Sequence, residues 1–165
     1  MKIPQKVIKF LSQNKVKYET INHRTVYTAY DKAATLKVPE KIVGKTLVMR
    51  IDKKVALVLI PANKNLDKKK LKKTAKALPA GRQAKKIDFL KEAWMKKNLK
   101  GIKIGATPPF GNLWKFSTFA DRALFQNPKI IVNSGDYNWS IKINPNLLKK
   151  IIPNLIIGSF SKSRG

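Results

Sequence analysis

The chain has 165 residues, 36 of them Lys or Arg against 9 Asp or Glu, giving a formal net charge of +27 with 43% apolar residues. That apolar share supports a single core and excludes a globally disordered chain. The absence of cysteine excludes disulfides, thiolate catalysis and thiolate metal sites together, and a lone histidine excludes a histidine-rich one.

Pro4 starts a first helix, with Ile3, Val7, Phe10 and Leu11 on one face and lysines on the other. Val16 to Ile21 reads as a short strand. Thr28, three residues before Asp31, makes a capping-box-like start to a second helix that packs Ala33, Ala34 and Leu36 inward and stops before Pro39. Lys45 to Ile51 and Lys54 to Ile60 form two strands around Asp52-Lys53, the second apolar throughout and therefore central. Leu71, Ala75 and Leu78 line a strongly basic helix ending near Pro79 and Gly81. Lys86 to Phe89 is a strand, and Leu90, Ala93 and Trp94 place a short helix that runs to Asn98.

Beyond this point Leu113 to Phe119 is expected as a strand and Ile130 to Val132 as a buried one. Trp139, Ile141 and Ile143 alternate with Ser140, Lys142 and Asn144, the pattern of a half-buried strand. Asn144 and Pro145 then start a helix with Leu147, Leu148, Ile151 and Ile152 on its apolar side. The pattern predicts one α/β domain over residues 1–158 with a mixed sheet, followed by a flexible basic tail, 159–165. The longest apolar run, Val55 to Pro61, has the length of a strand and falls far short of the ~20 residues of a membrane span. No secretory leader is read at the start, and no membrane partner is expected. Lack of cysteine fits a reducing cytoplasm.

The segment GIKIGATPPFG, residues 101–111, cannot be a helix or a regular strand, since glycine permits positive φ and proline removes an amide donor. It is a shaped loop whose free backbone groups could hold a small polar ligand. Phe110 at its end is either a ligand-facing ring or the hydrophobic peg that anchors it. Gly44-Lys45-Thr46 invites a phosphate-loop reading, but GxxxxGKT needs glycine at position 39, where this chain has Pro39, and a strand follows instead of a helix.

Lys45 opens its strand, where a cation could hold a phosphate, a carboxylate or developing negative charge; a solvated surface lysine is the plainer account. His23 has no positioned serine and acid advertised beside it, so it reads either as a structural loop histidine or as part of a binding site. Asp121 closes a turn or caps Arg122 to Phe125. Gly135 and Asp136 sit in a turn between two strands that could also line a cleft. The charge favours a nucleic-acid partner, against the alternative of a lysine-rich proteome that merely solvates its protein faces.

Taken in order, INHRTVYTAYDKAA at 21–34, VGKTLVMR at 43–50, VALVLIPANKNLDKKKLKKTAKAL at 55–78, GIKIGATPPFG at 101–111 and KIIVNSGDYNWSIKINPNLL at 129–148 resemble the YbaK/prolyl-tRNA synthetase-associated domain family of aminoacyl-tRNA deacylases and editing domains. The resemblance implies an α/β (α+β) domain with a mixed, barrel-like sheet flanked by helices. It would hydrolyse the ester of a mischarged tRNA, such as Cys-tRNA(Pro) or Ala-tRNA(Pro). The alternative is a noncatalytic tRNA-binding or synthetase-associated module on the same fold.

The family's key lysine falls on Lys45 and its glycine-x-x-x-proline loop on Gly105 to Pro109, which makes Lys45, Gly105 and Pro109 the implied catalytic set. His23, Thr28, Ala106, Thr107, Pro108, Phe110, Gly111, Gly135 and Asp136 would contact substrate. Lys68, Lys69, Lys70, Lys72 and Lys73 would hold the tRNA acceptor stem, with a prolyl-tRNA synthetase as a possible further partner. No cofactor and no metal are expected. Ala106 and Pro108 stand where YbaK-like members often have a second glycine and a serine, which leaves the amino-acid preference open.

Overall fold

The computed structural model describes residues 2–164. Its first half runs α1 (Gln5–Gln13), β1 (Tyr18–Asn22), α2 (Ala29–Leu36), β2 (Gly44–Ile51), β3 (Lys54–Pro61), β4 (Lys64–Leu66) and α3 (Lys68–Thr74). The second half runs β5 (Ile87–Phe89), α4 (Glu92–Asn98), β6 (Ser117–Asp121), β7 (Ile130–Asn133), β8 (Trp139–Ile143), α5 (Leu148–Ile151), β9 (Ile156–Gly158) and β10 (Ser161–Ser163).

Local rules account for most of these elements. Pro4 precedes α1, and its carbonyl accepts from the Val7 and Ile8 amides at 3.0 and 3.3 Å. Thr28 Oγ1 accepts from the Asp31 amide at 3.0 Å and so caps α2. The second helix ends where Lys37 turns left-handed at φ 55°, two residues ahead of Pro39. Asp52, at φ 55°, makes the tight connection between β2 and β3. Asp121 Oδ1 accepts from the Ala123 amide at 2.9 Å and starts a 3-10 turn over Arg122–Gln126.

Five strands form a mixed sheet in the order β5-β2-β3-β6-β9, with β2 antiparallel to β3 and β5, and β6 parallel to β3 and β9. A second, antiparallel sheet has the order β1-β8-β7. The two meet through a parallel bridge between Val43 and Ile131. The expected barrel-like closure is thus replaced by separate sheets joined at that bridge. β3 is buried on both faces, as its apolar run required. Leu59 enters a core with Phe10, Phe110, Val132 and Ile141, while Val58 and Ile60 enter another with Met49, Leu71 and Phe119.

Three local expectations need correction. In α2 it is Lys32, not Ala34, that turns inward with Ala33, because the packed face of the helix runs through positions 32, 33 and 36. Leu113 to Phe119 does not form one strand. Gly111–Trp114 is a 3-10 turn, and Lys115 at φ 61° redirects the chain before β6 begins at Ser117. Ser140 is fully buried although its strand alternates, because His23 covers it.

The residues beyond 158 also pack onto the domain. Phe160 is fully buried edge-on against Phe119, and β10 pairs antiparallel with β4. The Phe160 amide donates to Asp121 Oδ2 at 3.1 Å, and Arg164 pairs with Glu40 at 3.1 Å. The domain therefore extends past the expected boundary, since an aromatic anchor and backbone pairing outweigh the polar composition of the segment.

Candidate active site

Residues from three parts of the chain converge at the start of α2. They are the Gly105 loop, the α2 N-terminus and the turn between β7 and β8. The Lys103 amide donates to the Gly135 carbonyl at 2.9 Å, and Tyr137 Oη donates to the Ile104 carbonyl at 2.6 Å. Asn133 Nδ2 lies 3.4 Å from the Gly105 carbonyl and donates to it. Gly105 itself has φ 85°, a conformation that favours glycine, while a Cβ there would stand at ordinary contact distance, 3.4 Å, from the Tyr27 carbonyl. The Ala106 amide turns back to the Lys103 carbonyl at 3.0 Å, whereas the Gly105 and Thr107 amides have no partner among the described residues.

Between these elements lies a pocket of about 10 Å³, lined by Val26, Tyr27, Thr28, Lys32, Gly105, Ala106, Asn133 and Asp136. That volume is the space of one water-sized group. Lys32 is 4% exposed, and its Nζ donates to Asn133 Oδ1 at 2.7 Å. The three ion pairs among the described residues do not include Lys32. Burial of this amine lowers its pKa to about 8. Asp136 is almost fully buried, with Oδ2 accepting from the Asn138 amide at 3.0 Å.

His23 stands behind this pocket without lining it. Its Nδ1 is 2.8 Å from the Arg24 carbonyl, and its Nε2 is 2.8 Å from Ser140 Oγ. A carbonyl only accepts, so Nδ1 carries the proton and Nε2 accepts from the serine hydroxyl. Burial lowers the pKa of His23; its hydrogen bond to Arg24 opposes that, and the charges of Lys32 and Asp136 act in opposite directions. Ser140 is fully buried and has no route to a substrate as a nucleophile.

Of the residues expected at the site, Thr28, Gly105, Ala106 and Asp136 come together around this pocket. Thr107, Pro108, Pro109, Phe110, Gly111 and Gly135 are buried and do not line it. Phe110 is the peg: it is fully buried, with its ring 5.0 Å from that of Phe10. Gly111 is held against β6, its amide donating to Thr118 Oγ1 at 3.0 Å, and a Cβ there would meet the Phe116 carbonyl at 2.7 Å. Gly135 lies beneath Pro4 and Ile102.

Lys45 lies elsewhere. The Cα of Gly44 faces Leu59 and Val132, so the next residue of β2 projects from the other face. There Lys45 lines a second cavity, of about 220 Å³, with Leu47, Ile60, Asn65, Leu66, Lys68 and Phe89. Burial lowers its pKa, nearby Arg164 adds to the shift, and Glu40 opposes it. Phe89 is an exposed aromatic, with Lys68 Nζ 5.4 Å from its ring centre. On α3 Lys68, Lys69, Lys70 and Lys73 are exposed and Lys72 is partly buried. The helix is capped by Asp67, and Lys70 Nζ reaches the Ser161 carbonyl at 3.3 Å. Among the described residues no three His, Asp or Glu side chains gather into a metal-binding group, and no helix is long and apolar enough to cross a membrane.

Lys32 and Asn133 are the residues that sequence reasoning missed. A signal for Lys32 was present, since it falls four residues after the capping Thr28 and four before Leu36, on one stripe of α2. Its partner is 101 positions away, a separation no local pattern carries.

A glycine loop, two of whose amides lack a partner among the described residues, thus borders a small polar pocket on a mixed α+β scaffold. The chain matches the family model of the aminoacyl-tRNA editing domain over residues 23–151 and belongs to that family, the YbaK/prolyl-tRNA synthetase-associated group of tRNA-editing domains. Family membership carries aminoacyl-tRNA deacylation as the general class of activity.

Solved structures share the fold, two of them at TM-scores of 0.79 and 0.78. One is described as the hypothetical protein APE2540, with a TM-score of 0.79 and 21% identity, covering 96% of this chain and 100% of the other. The second is described as a candidate trans-editing enzyme for prolyl tRNA synthetase, with a TM-score of 0.78 and 17% identity over 98% of this chain and 100% of the other. No curated protein matches the chain.

Proposed function

We propose that this protein acts in trans in the cytoplasm, hydrolysing the ester that joins a wrong amino acid to the 3′ end of tRNA(Pro), with cysteinyl and alanyl esters the first candidates. The observation that carries the reading is the Gly105 amide, without a partner among the described residues, on the wall of the Lys32 pocket, within a chain that matches the editing family over residues 23–151. Amides held in a fixed loop stabilise the oxyanion that develops on an ester carbonyl without reorganising during the reaction. A water set in place by the loop and the vicinal ribose hydroxyl attacks, and no side-chain nucleophile is required.

Lys45, in the larger cavity with Lys68 and Phe89, holds the terminal phosphate or the adenosine. The α3 lysines, Lys68 to Lys73, hold the acceptor stem, and the long-range charge steers the encounter. A prolyl-tRNA synthetase is the natural partner, because editing removes products that synthetase binding alone cannot exclude.

A panel of individually mischarged tRNAs tests the proposal. Release of free amino acid from one or a few of them is expected. Tight tRNA binding with no release from any would replace the enzyme with a noncatalytic RNA-binding module.

A further inference from the structure

We infer that the pocket under Gly105 seats the attacking water and that Lys32 is the catalytic residue that takes its proton. The inference rests on the deacylase reading and adds to it a base that the loop alone does not supply. Size comes first. A pocket of about 10 Å³ is too small for an amino-acid side chain and matches one water, whose stable seat needs two to four polar partners. Lys32, Asp136 and Thr28 provide them, and the Gly105 backbone forms the opposite wall.

Orientation comes next. Among the described residues the Lys32 amine makes a single hydrogen bond, to Asn133 Oδ1 at 2.7 Å, which leaves its other positions free. Asn133 in turn donates to the Gly105 carbonyl at 3.4 Å, so one amide side chain links the amine to the loop. Asp136 accepts one hydrogen of the water and directs the other toward Lys32.

A buried lysine is a suitable base because its charged form is disfavoured; its pKa of about 8 leaves a useful fraction unprotonated near neutrality. The other titratable groups around the pocket are Asp136 on the β7–β8 turn, Tyr27 on the wall and His23 behind it.

In the reaction, the water oxygen bonds to the ester carbonyl carbon as its proton passes to the neutral Lys32 amine. The carbonyl electron pair moves onto oxygen, facing the loop amides. Collapse restores the carbonyl and breaks the bond to the ribose oxygen, which takes the proton back from Lys32. The products are the free amino acid and the tRNA hydroxyl, and the base is regenerated.

The experiment uses the tRNA that the wild-type protein deacylates and compares single-turnover rates of wild type, Lys32→Met and Lys32→Arg across pH, with tRNA affinity and circular dichroism as controls for folding. The wild-type rate is expected to rise with pH and level off above about 8, and both variants to lose about 100-fold or more and the rise with it, at unchanged tRNA affinity. Arginine keeps the charge but cannot accept the proton. A Lys32→Arg protein as fast as wild type overturns the base role, as does a Lys32→Met protein with the wild-type rate and pH profile. No release by the wild-type protein from any mischarged tRNA overturns the deacylase reading itself, and the base role with it.

Discussion

The ring of Phe110 lies 5.0 Å from that of Phe10, tilted by 41°, so the end of the glycine-proline loop is pinned to the first helix. Both rings sit in the core that also holds Leu59, Val132 and Ile141. The loop's backbone is thus fixed by a ring at its own end that packs on Phe10, far away in sequence. Phe110→Ala is expected to cost about 3–5 kcal/mol of stability by opening a cavity. Chemical denaturation measures this directly, and amino-acid release should fall as well at temperatures where the variant is still folded. A variant of unchanged stability would remove Phe110 as the anchor.

Lys32 carries a cost to the fold. Its pKa of about 8, against an ordinary 10.5, corresponds to about 3 kcal/mol at 1.36 kcal/mol per pKa unit. Between these values the unfolded chain binds more protons than the native one, so stability should rise from about pH 8 to about pH 10.5. Lys32→Met should be more stable than wild type at pH 7 and should lose that rise. Urea melts at both pH values measure it; a slope that persists in the variant would assign it to another group.

His23 behaves oppositely in pH range, though not in sign. Its folded pKa lies below the ordinary 6.5, so protonation is resisted in the native state. Stability is complete above about 6.5 and falls as the pH is lowered below it, when the unfolded chain takes up the extra proton. Protonated Nε2 also no longer accepts from Ser140. Thermal melts of His23→Gln should show a shallower loss on acidification than wild type.

The larger cavity gives a separable prediction. Lys45→Ala should slow amino-acid release at saturating enzyme, since the terminal phosphate or adenosine is then less well oriented. Phe89→Ala, which removes the exposed ring beside Lys68, should weaken binding by about 1–3 kcal/mol if a base stacks there. Equal affinities of wild type and Phe89→Ala for tRNA would exclude the ring from the contact.

Charge makes the last prediction. With a formal +27, tRNA affinity should fall steeply as salt rises, with log K linear in log salt. Replacing the exposed Lys69 and Lys73 with alanine should reduce that slope by about 1–2. A flat salt response in the wild type would refute electrostatic docking on tRNA.

Much of the architecture was legible locally. The Thr28 cap, the Asp52-Lys53 connection, the doubly buried β3 and the non-regular character of 101–111 each follow from a few neighbouring residues, because caps, turns and strand burial are short-range. The order of motifs pointed to the editing family in the same way. Ser140 and Phe160 were not legible, and of Lys32 only its place on the α2 stripe was, because each meets a partner distant in sequence: His23, Phe119 and Asn133.

The sequence by itself determined most of the longer helices and strands, the excess of positive charge and the special loop from Gly101 to Gly111. Only the tertiary structure decided which groups face one another. It turned Phe110 into the core, carried Lys45 to a cavity apart from the Gly105 pocket, and brought Lys32 under the loop. The reason is physical: backbone preference and hydrophobic period act over a few residues, whereas a buried amine takes its ionisation and its partner from elements more than 100 residues apart.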